Sequence, residues 1–197
     1  MNMMRVLLVM SFMGKPALFV LITLKMVQWS IYYGVSKNSS VAFACYGVLI
    51  CSRMGDIEGG NKFAKVAMSI VERFGAKDIE SQVLFVCVSF ISHWKEPGHL
   101  THKRFLRAYE VAMQTGNIHF AMLSMRGSNL AALLAGKPLA YIEKECNSCM
   151  ELMREYKQKN AINLLLPVWQ LVLNLMGDSD DPRVLSGHAM QQEDLLK

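Results

Sequence analysis

Between Asp56 and Gly75 the chain reads DIEGGNKFAKVAMSIVERFG, and the spacing of its apolar residues decides the class of fold. Phe63, Val66, Ala67, Ile70, Val71 and Phe74 recur at steps of three and four, which puts them on one stripe of an α-helix. Asp56 stands where an N-cap acceptor belongs, and Gly75 where a left-handed stop belongs. The same grammar runs outward on both sides. Upstream, Val20, Leu24, Val27 and Ile31 share a predicted face closed by Gly34; Asn38, Ser39 and Ser40 offer caps for a run burying Phe43, Tyr46, Leu49 and Ile50.

Downstream, Asp78 opens a run through Val83, Val86, Phe90, Ile91 and Trp94 that stops at Pro97-Gly98. Thr101 is a cap for Phe105, Leu106, Tyr109 and Met113, ending at Gly116. Asn117 caps Ile118, Ala121, Met122, Met125 and Leu133, ending at Gly136. Pro138 suits the first turn of a helix carrying Leu139, Ile142, Cys146, Met150 and Met153. A last run, Ala161 to Met176, closes at Gly177-Asp178, and Pro167 inside it predicts a kink or a split. No stretch alternates with the period of two that a strand requires.

Helix pairs then begin near Ser39, Lys77, Asn117 and Asn160, a period of about 40 residues. Short loops make neighbouring helices antiparallel, so the expected fold is all-α, a TPR-like α-solenoid of antiparallel helix pairs. An irregular bundle of coincidentally equal helices is the alternative. The expected organisation is an apolar N-terminal segment over 1–15, a helical-repeat domain over 16–177 and a C-terminal turn and tail over 178–197.

Composition bounds the function. The 197 residues are 52% hydrophobic and 19% charged, which excludes a disordered chain. Mean hydropathy is +0.22 and the isoelectric point is near 9.0. The net charge of +5 comes from scattered cations, and the densest group is only Lys103, Arg104 and Arg107. A nucleic-acid interface would gather them into a stripe, so no nucleic-acid partner is expected.

Five cysteines, Cys45, Cys51, Cys87, Cys146 and Cys149, are an odd set in apolar surroundings, as expected of reduced thiols in a cytoplasmic protein. Cys146 and Cys149 form a CxxC that could join His99 and His102 at zinc, but three-residue spacing in a helix equally puts two small groups in a core. The core reading is preferred, and no metal or cofactor is expected. At the N-terminus, Arg5 followed by Val6 to Met13 resembles a short signal or anchor, and Pro16 to Leu24 is a second apolar stretch. Neither reaches the roughly 20 residues of a membrane span, so membrane attachment is the lesser reading.

Chemistry-bearing motifs are missing. No phosphate loop, HRD, DFG, GxSxG or HExxH pattern occurs, and Gly55 to Gly60 has no strand before it. Asp178, Asp180 and Asp181 precede Pro182 directly and read as a solvated turn rather than an EF-hand. Trp29, Trp94 and Trp169 fall at helical positions that suit a core.

Ordered motifs resemble a family. Tyr32-Tyr-Gly34, Ala42-Phe-Ala-Cys-Tyr46-Gly47, Gly55-Asp56-Ile-Glu58-x-Gly60, Ala67, Phe90-Ile-Ser-His-Trp94-Lys95 and Arg107-Ala-Tyr109 come first. Thr115-Gly116-Asn117, Gly136-Lys-Pro-Leu139 with Glu143, Asn174-Leu-Met-Gly177, Asp181-Pro182 and Gly187 follow. Over about residues 16 to 188 this resembles the TPR-like helical-repeat region of very large multidomain sensor kinases. In those a protein-kinase-like domain and a STAND-type ATPase of the AAA superfamily precede the repeats, and a GAF domain and a histidine kinase often follow. Asn117 stands where that family has Asp, and Asn61 where it has an aromatic residue.

The resemblance implies a non-catalytic sensor or protein-interaction scaffold, a fragment or free-standing descendant of such a signalling protein. A kinase or ATP-binding activity would describe the full-length relatives, because the positions that carry it are not in this sequence. The expected partners are a protein or attached ATPase and kinase domains. Tyr46, Trp94 and Arg126 are the candidate partner-binding residues, on the first helices of pairs. Apolar residues at both ends, Val6 to Ile22 and Leu164 to Val172, predict self-association or docking onto further domains. The competing readings are an enzyme of unrecognised kind and a membrane-attached helical protein.

Overall fold

The computed structural model describes residues 1–179 and 181–195, and among them all regular structure is helical. The helices are α1 (Asn2–Gly14), α2 (Pro16–Tyr33), α3 (Ser39–Leu49), α4 (Ile57–Phe74), α5 (Lys77–Phe90), α6 (Gly98–Gln114), α7 (Ile118–Leu134), α8 (Leu139–Glu155), α9 (Lys159–Met176) and the short α10 (Gln192–Leu195). A π-helical turn, Ile50–Met54, continues α3, and a 3-10 turn, Ser92–Trp94, follows α5. Helices α3, α5, α7 and α9 start at Ser39, Lys77, Ile118 and Lys159, close to the expected positions.

Caps account for several boundaries. The Asp56 carboxylate accepts from Gly59 N at 2.7 Å, the N-cap expected at the head of α4. At its end Gly75 takes a φ of 56°, and Ala76 N donates to Val71 O at 3.0 Å, which satisfies a terminal carbonyl. Other caps differ from expectation: Asn38 precedes α3 without a side-chain cap bond. Helix α5 starts at Lys77, so Asp78 lies inside its first turn; α6 starts at Gly98 after Pro97, so Thr101 lies inside it too. Lys157 ends α8 in the left-handed region at φ 54°, where other helices end on glycine.

The chain forms two compact units. The first comprises residues 1–96 and 111–117. In it α3 packs on α2, α4 and α5. The α3–α4 crossing is nearly backbone to backbone: a Cβ on Gly47 would lie 2.9 Å from Gly60 O, and one on Gly60 would lie 2.8 Å from Gly47 O. The core here includes Met26, Val41, Ala44, Ala67, Val83 and Ile91. Helix α1 joins it through Leu8, through an edge contact of the Phe12 and Phe19 rings (5.2 Å) and through the Phe12–Phe90 pair (5.2 Å).

Arg5 Nη1 also donates to Gln82 Oε1 at 2.9 Å, so α1 runs alongside α5 in the same direction. The buried face of α2 is a correction. Phe19, Ile22, Thr23, Met26, Val27 and Ser30 point inward, whereas Leu24 and Ile31 of the expected face are exposed. With α2 apolar on every side, periodicity could not choose between its faces; contact with α1 and α3 did.

The second unit comprises residues 97–110 and 118–197. Helices α6 and α7 lie antiparallel, with Gly127 under the Phe105 ring and Gly98 against Ala135. Helix α8 packs on both α7 and α9, burying Ile142, Cys146, Cys149, Met150 and Met153. Helix α9 runs on past Pro167 from Lys159 to Met176, so of the expected kink or split the split does not occur. Residues 181–190 fold back on α9, where buried Gln170 and Asn174 hold them: Gln170 Oε1 accepts from Ala189 N at 2.9 Å, and Asn174 Nδ2 donates to Val184 O at 2.8 Å. Part of the apolar α9 surface is thereby covered by the chain's own tail. Of the three aspartates near this tail, Asp181 forms a two-pronged pair with Arg183 at 3.0 Å, and Asp180 lies outside the described residues.

Two stability changes follow. Gly60→Ala meets the Gly47 carbonyl and Cys51 Sγ, and lowers the urea-unfolding free energy by about 1–3 kcal/mol. Lys157→Gly relieves a left-handed backbone and raises it by about 1 kcal/mol. Equal midpoints for all three proteins would contradict this account of the crossing and the cap.

Candidate functional site

Tyr46 lies on α3, half-buried, with its ring edge-on to Phe63 at 4.8 Å; Phe43 stacks on the same Phe63 at 6.1 Å. The Gly47–Gly60 approach brings α3 and α4 close enough for this cluster, so Tyr46 is engaged in interhelical packing.

Trp94 is different. It sits in the 3-10 turn after α5 and is 60% exposed, which corrects the expectation of a core tryptophan. Helix α5 ends at Phe90, so the helical phase that would have turned Trp94 inward is lost. Its ring lies beside that of His93 at 4.9 Å. Next to it Lys95 pairs with Glu58, and that lysine holds the Glu58 carboxyl below its ordinary range. An exposed indole beside an ion pair can take an apolar side chain on its face and a polar group at its edge.

Arg126 belongs to the second unit. It is half-buried on α7, and its Nε donates to Leu164 O at 3.2 Å, one turn before Pro167. A proline ring disturbs the carbonyl ladder of the preceding turn, so a guanidinium donor is well placed there. Desolvation lowers the Arg126 pKa, and no carboxylate pairs with it among the described residues. Tyr46 and Trp94 thus belong to the first unit, and Arg126 to the second.

The four possible zinc ligands all belong to the second unit. His102 is buried on α6, with Nδ1 2.9 Å from Ser128 Oγ and 3.1 Å from Ser128 O, and Nε2 3.3 Å from Lys137 Nζ. With Lys137 donating to Nε2, the ring proton sits on Nδ1 and is shared by the two Ser128 oxygens. That is the reverse of a base that draws a proton from serine. The cluster ties α6 to α7. Both ring nitrogens are used, and no group of three or more metal-ligating residues is assembled among the described residues.

Cys146 and Cys149 are buried in α8, where Asn129 Nδ2 donates to Cys149 Sγ at 3.3 Å. Burial pushes their thiols up to about 12 and about 11, and the neighbouring thiol adds to the rise at Cys146. Reading the sequence missed His102–Ser128 and Gln170–Asn174 as pairs. The only available signal was polar residues within otherwise apolar helical stripes.

The buried thiols and two tyrosines set a pH dependence. Cys45, Cys146, Cys149, Tyr109 and Tyr141 all have folded pKa values raised, chiefly by burial. A raised acid keeps its proton in the folded chain after the unfolded chain has lost it, so stability is full below the unfolded pKa and falls as pH rises above it. The urea midpoint therefore drops between about pH 8.5 and about pH 11. In native protein near neutral pH only Cys51, the one thiol that is not buried, reacts with a disulfide reagent. Rapid reaction of all five would contradict the buried set. No protein-family model matches the chain, and no curated protein or solved structure matches it either.

Proposed function

We propose that the chain is a TPR-like α-solenoid serving as a non-catalytic sensor or protein-interaction scaffold of a signalling system, in contact with ATPase or kinase domains. One observation carries this reading. The same register of helix packing occurs within each unit: α3 packs on its partner α4 and on the next first helix α5, and α7 packs on its partner α8 and on the next first helix α9. A repeated unit of about 40 residues that covers its neighbour in this way is the building rule of a solenoid, and solenoids work by offering extended surfaces to other proteins.

The ordered motifs from Tyr32 to Gly187, similar to the repeat region of multidomain sensor kinases, support the signalling role. Five free cysteines, four of them buried, suit a reducing compartment such as the cytoplasm. Trp94 and Arg126 are the contact residues of this reading, and Tyr46 contributes chiefly through packing.

The test has two parts. Purified chain incubated with labelled ATP transfers no phosphate, because it holds no phosphate loop or catalytic aspartate motif. Titration calorimetry against a kinase or ATPase domain encoded beside the gene gives binding that Trp94→Ala weakens at least roughly tenfold. Phosphate transfer that copurifies with the polypeptide, or the absence of binding to such a domain, would overturn the reading.

A further inference from the structure

We infer that the α1–α2 hairpin seats this protein on an anionic lipid bilayer, lying in the interface without crossing it. The first support is charge. The earliest acidic residue is Asp56; before it stand Arg5, Lys15, Lys25, Lys37 and Arg53 and no carboxylate. From Asp56 onward sixteen acidic residues meet sixteen Lys and Arg, so the whole excess of +5 belongs to residues 1–55. Lys37 is answered by Asp78 at 2.8 Å, and Arg5 is tied to Gln82. Lys15 and Lys25 are exposed and meet no acidic side chain among the described residues.

The second support is what the packing leaves outside. Helix α2 turns Phe19, Ile22, Met26 and Val27 inward and leaves Leu18, Leu21, Leu24 and Ile31 exposed, a stripe at steps of three and seven, with Tyr32 exposed beside it. Helix α1 leaves Met3, Val6, Leu7 and Met10 exposed at steps of three and four. Leu21 is 65% exposed and Ile31 71%. Tyr32 and Tyr33 stand 74% and 84% exposed at the end of α2, the residue type that settles at the headgroup level. No helix among the described residues is long and apolar enough to cross a membrane. A short hairpin with apolar stripes and cations instead lies flat, its side chains entering the acyl boundary and its lysines meeting phosphates.

Charge also decides against a second copy of the chain as the occupant. Two such hairpins face to face would oppose Lys15 and Lys25 to like charges with no acid on either side to answer them.

The experiment is flotation of the full chain with two kinds of vesicle: phosphatidylcholine alone, and phosphatidylcholine with about one-third phosphatidylglycerol. The chain floats with the anionic vesicles and, at equal lipid, at least roughly tenfold less with the neutral ones; raising salt from about 0.05 M to about 0.5 M releases it. Leu21→Ser with Ile31→Ser abolishes flotation, and both sites are exposed, so circular dichroism of the free variant stays helical. Lys25→Glu alone tests the charge should that pair unfold, and it lowers binding several-fold. Absence of flotation with anionic vesicles would overturn the proposal, as would equal binding to both vesicle types. So would a chain that stays off vesicles but sediments as a dimer dissociated by Leu21→Ser.

Discussion

Close approach of helix backbones is the constraint on which the first unit depends. Loops of a few residues force α3, α4 and α5 to lie against one another, and the distance between them is set by whatever stands at the crossing. At α3–α4 that is Gly47 facing Gly60, each carbonyl occupying the space a Cβ on the other would need. Contact at this distance lets Tyr46, Phe43 and Phe63 form one aromatic cluster, and it brings Ile91 of the α5 end against Gly47. The second unit meets the same need with different residues: Gly127 admits the Phe105 ring, and Gly98 admits Ala135. Small residues here are a condition of packing amphipathic helices at short range.

Polar groups inside these apolar layers do a second task. His102 binds both oxygens of Ser128 while Lys137 occupies its other nitrogen, and Gln170 with Asn174 recruits backbone groups of residues 182–190. A buried amide left without partners costs about 1–3 kcal/mol, so these side chains favour one arrangement over its neighbours. The tail is held by amides rather than by apolar contact alone. That is why a helix that looks apolar on several sides in sequence, α9, is partly covered by its own continuation.

The two faces of α2 meet different surroundings. One face closes the core against α3, and the other meets solvent with leucine, isoleucine and tyrosine. Soluble helices usually expose charge on the outer side, and a contiguous apolar stripe marks a surface used for contact. Trp94 makes a smaller instance of the same point, released from the helical phase of α5 by the turn at Ser92.

How much was legible in the sequence depends on whether a feature is local. The helical class, the starts near Ser39, Lys77, Asn117 and Asn160, the Asp56 cap and the Gly75 stop follow from spacing and capping chemistry, which act over four residues or so. The inward stripe of α8, Ile142 to Met153, was readable because its other side is charged. The sequence could not orient α2, where hydrophobicity is spread round the helix and any face satisfies periodicity. Nor could it bring His102 to Ser128, seat Gln170 under the tail or separate Tyr46 and Trp94 from Arg126 into different units. Those outcomes are set by which helices touch, and only the tertiary structure decides that, because contact energy between distant segments leaves no periodic trace in the chain.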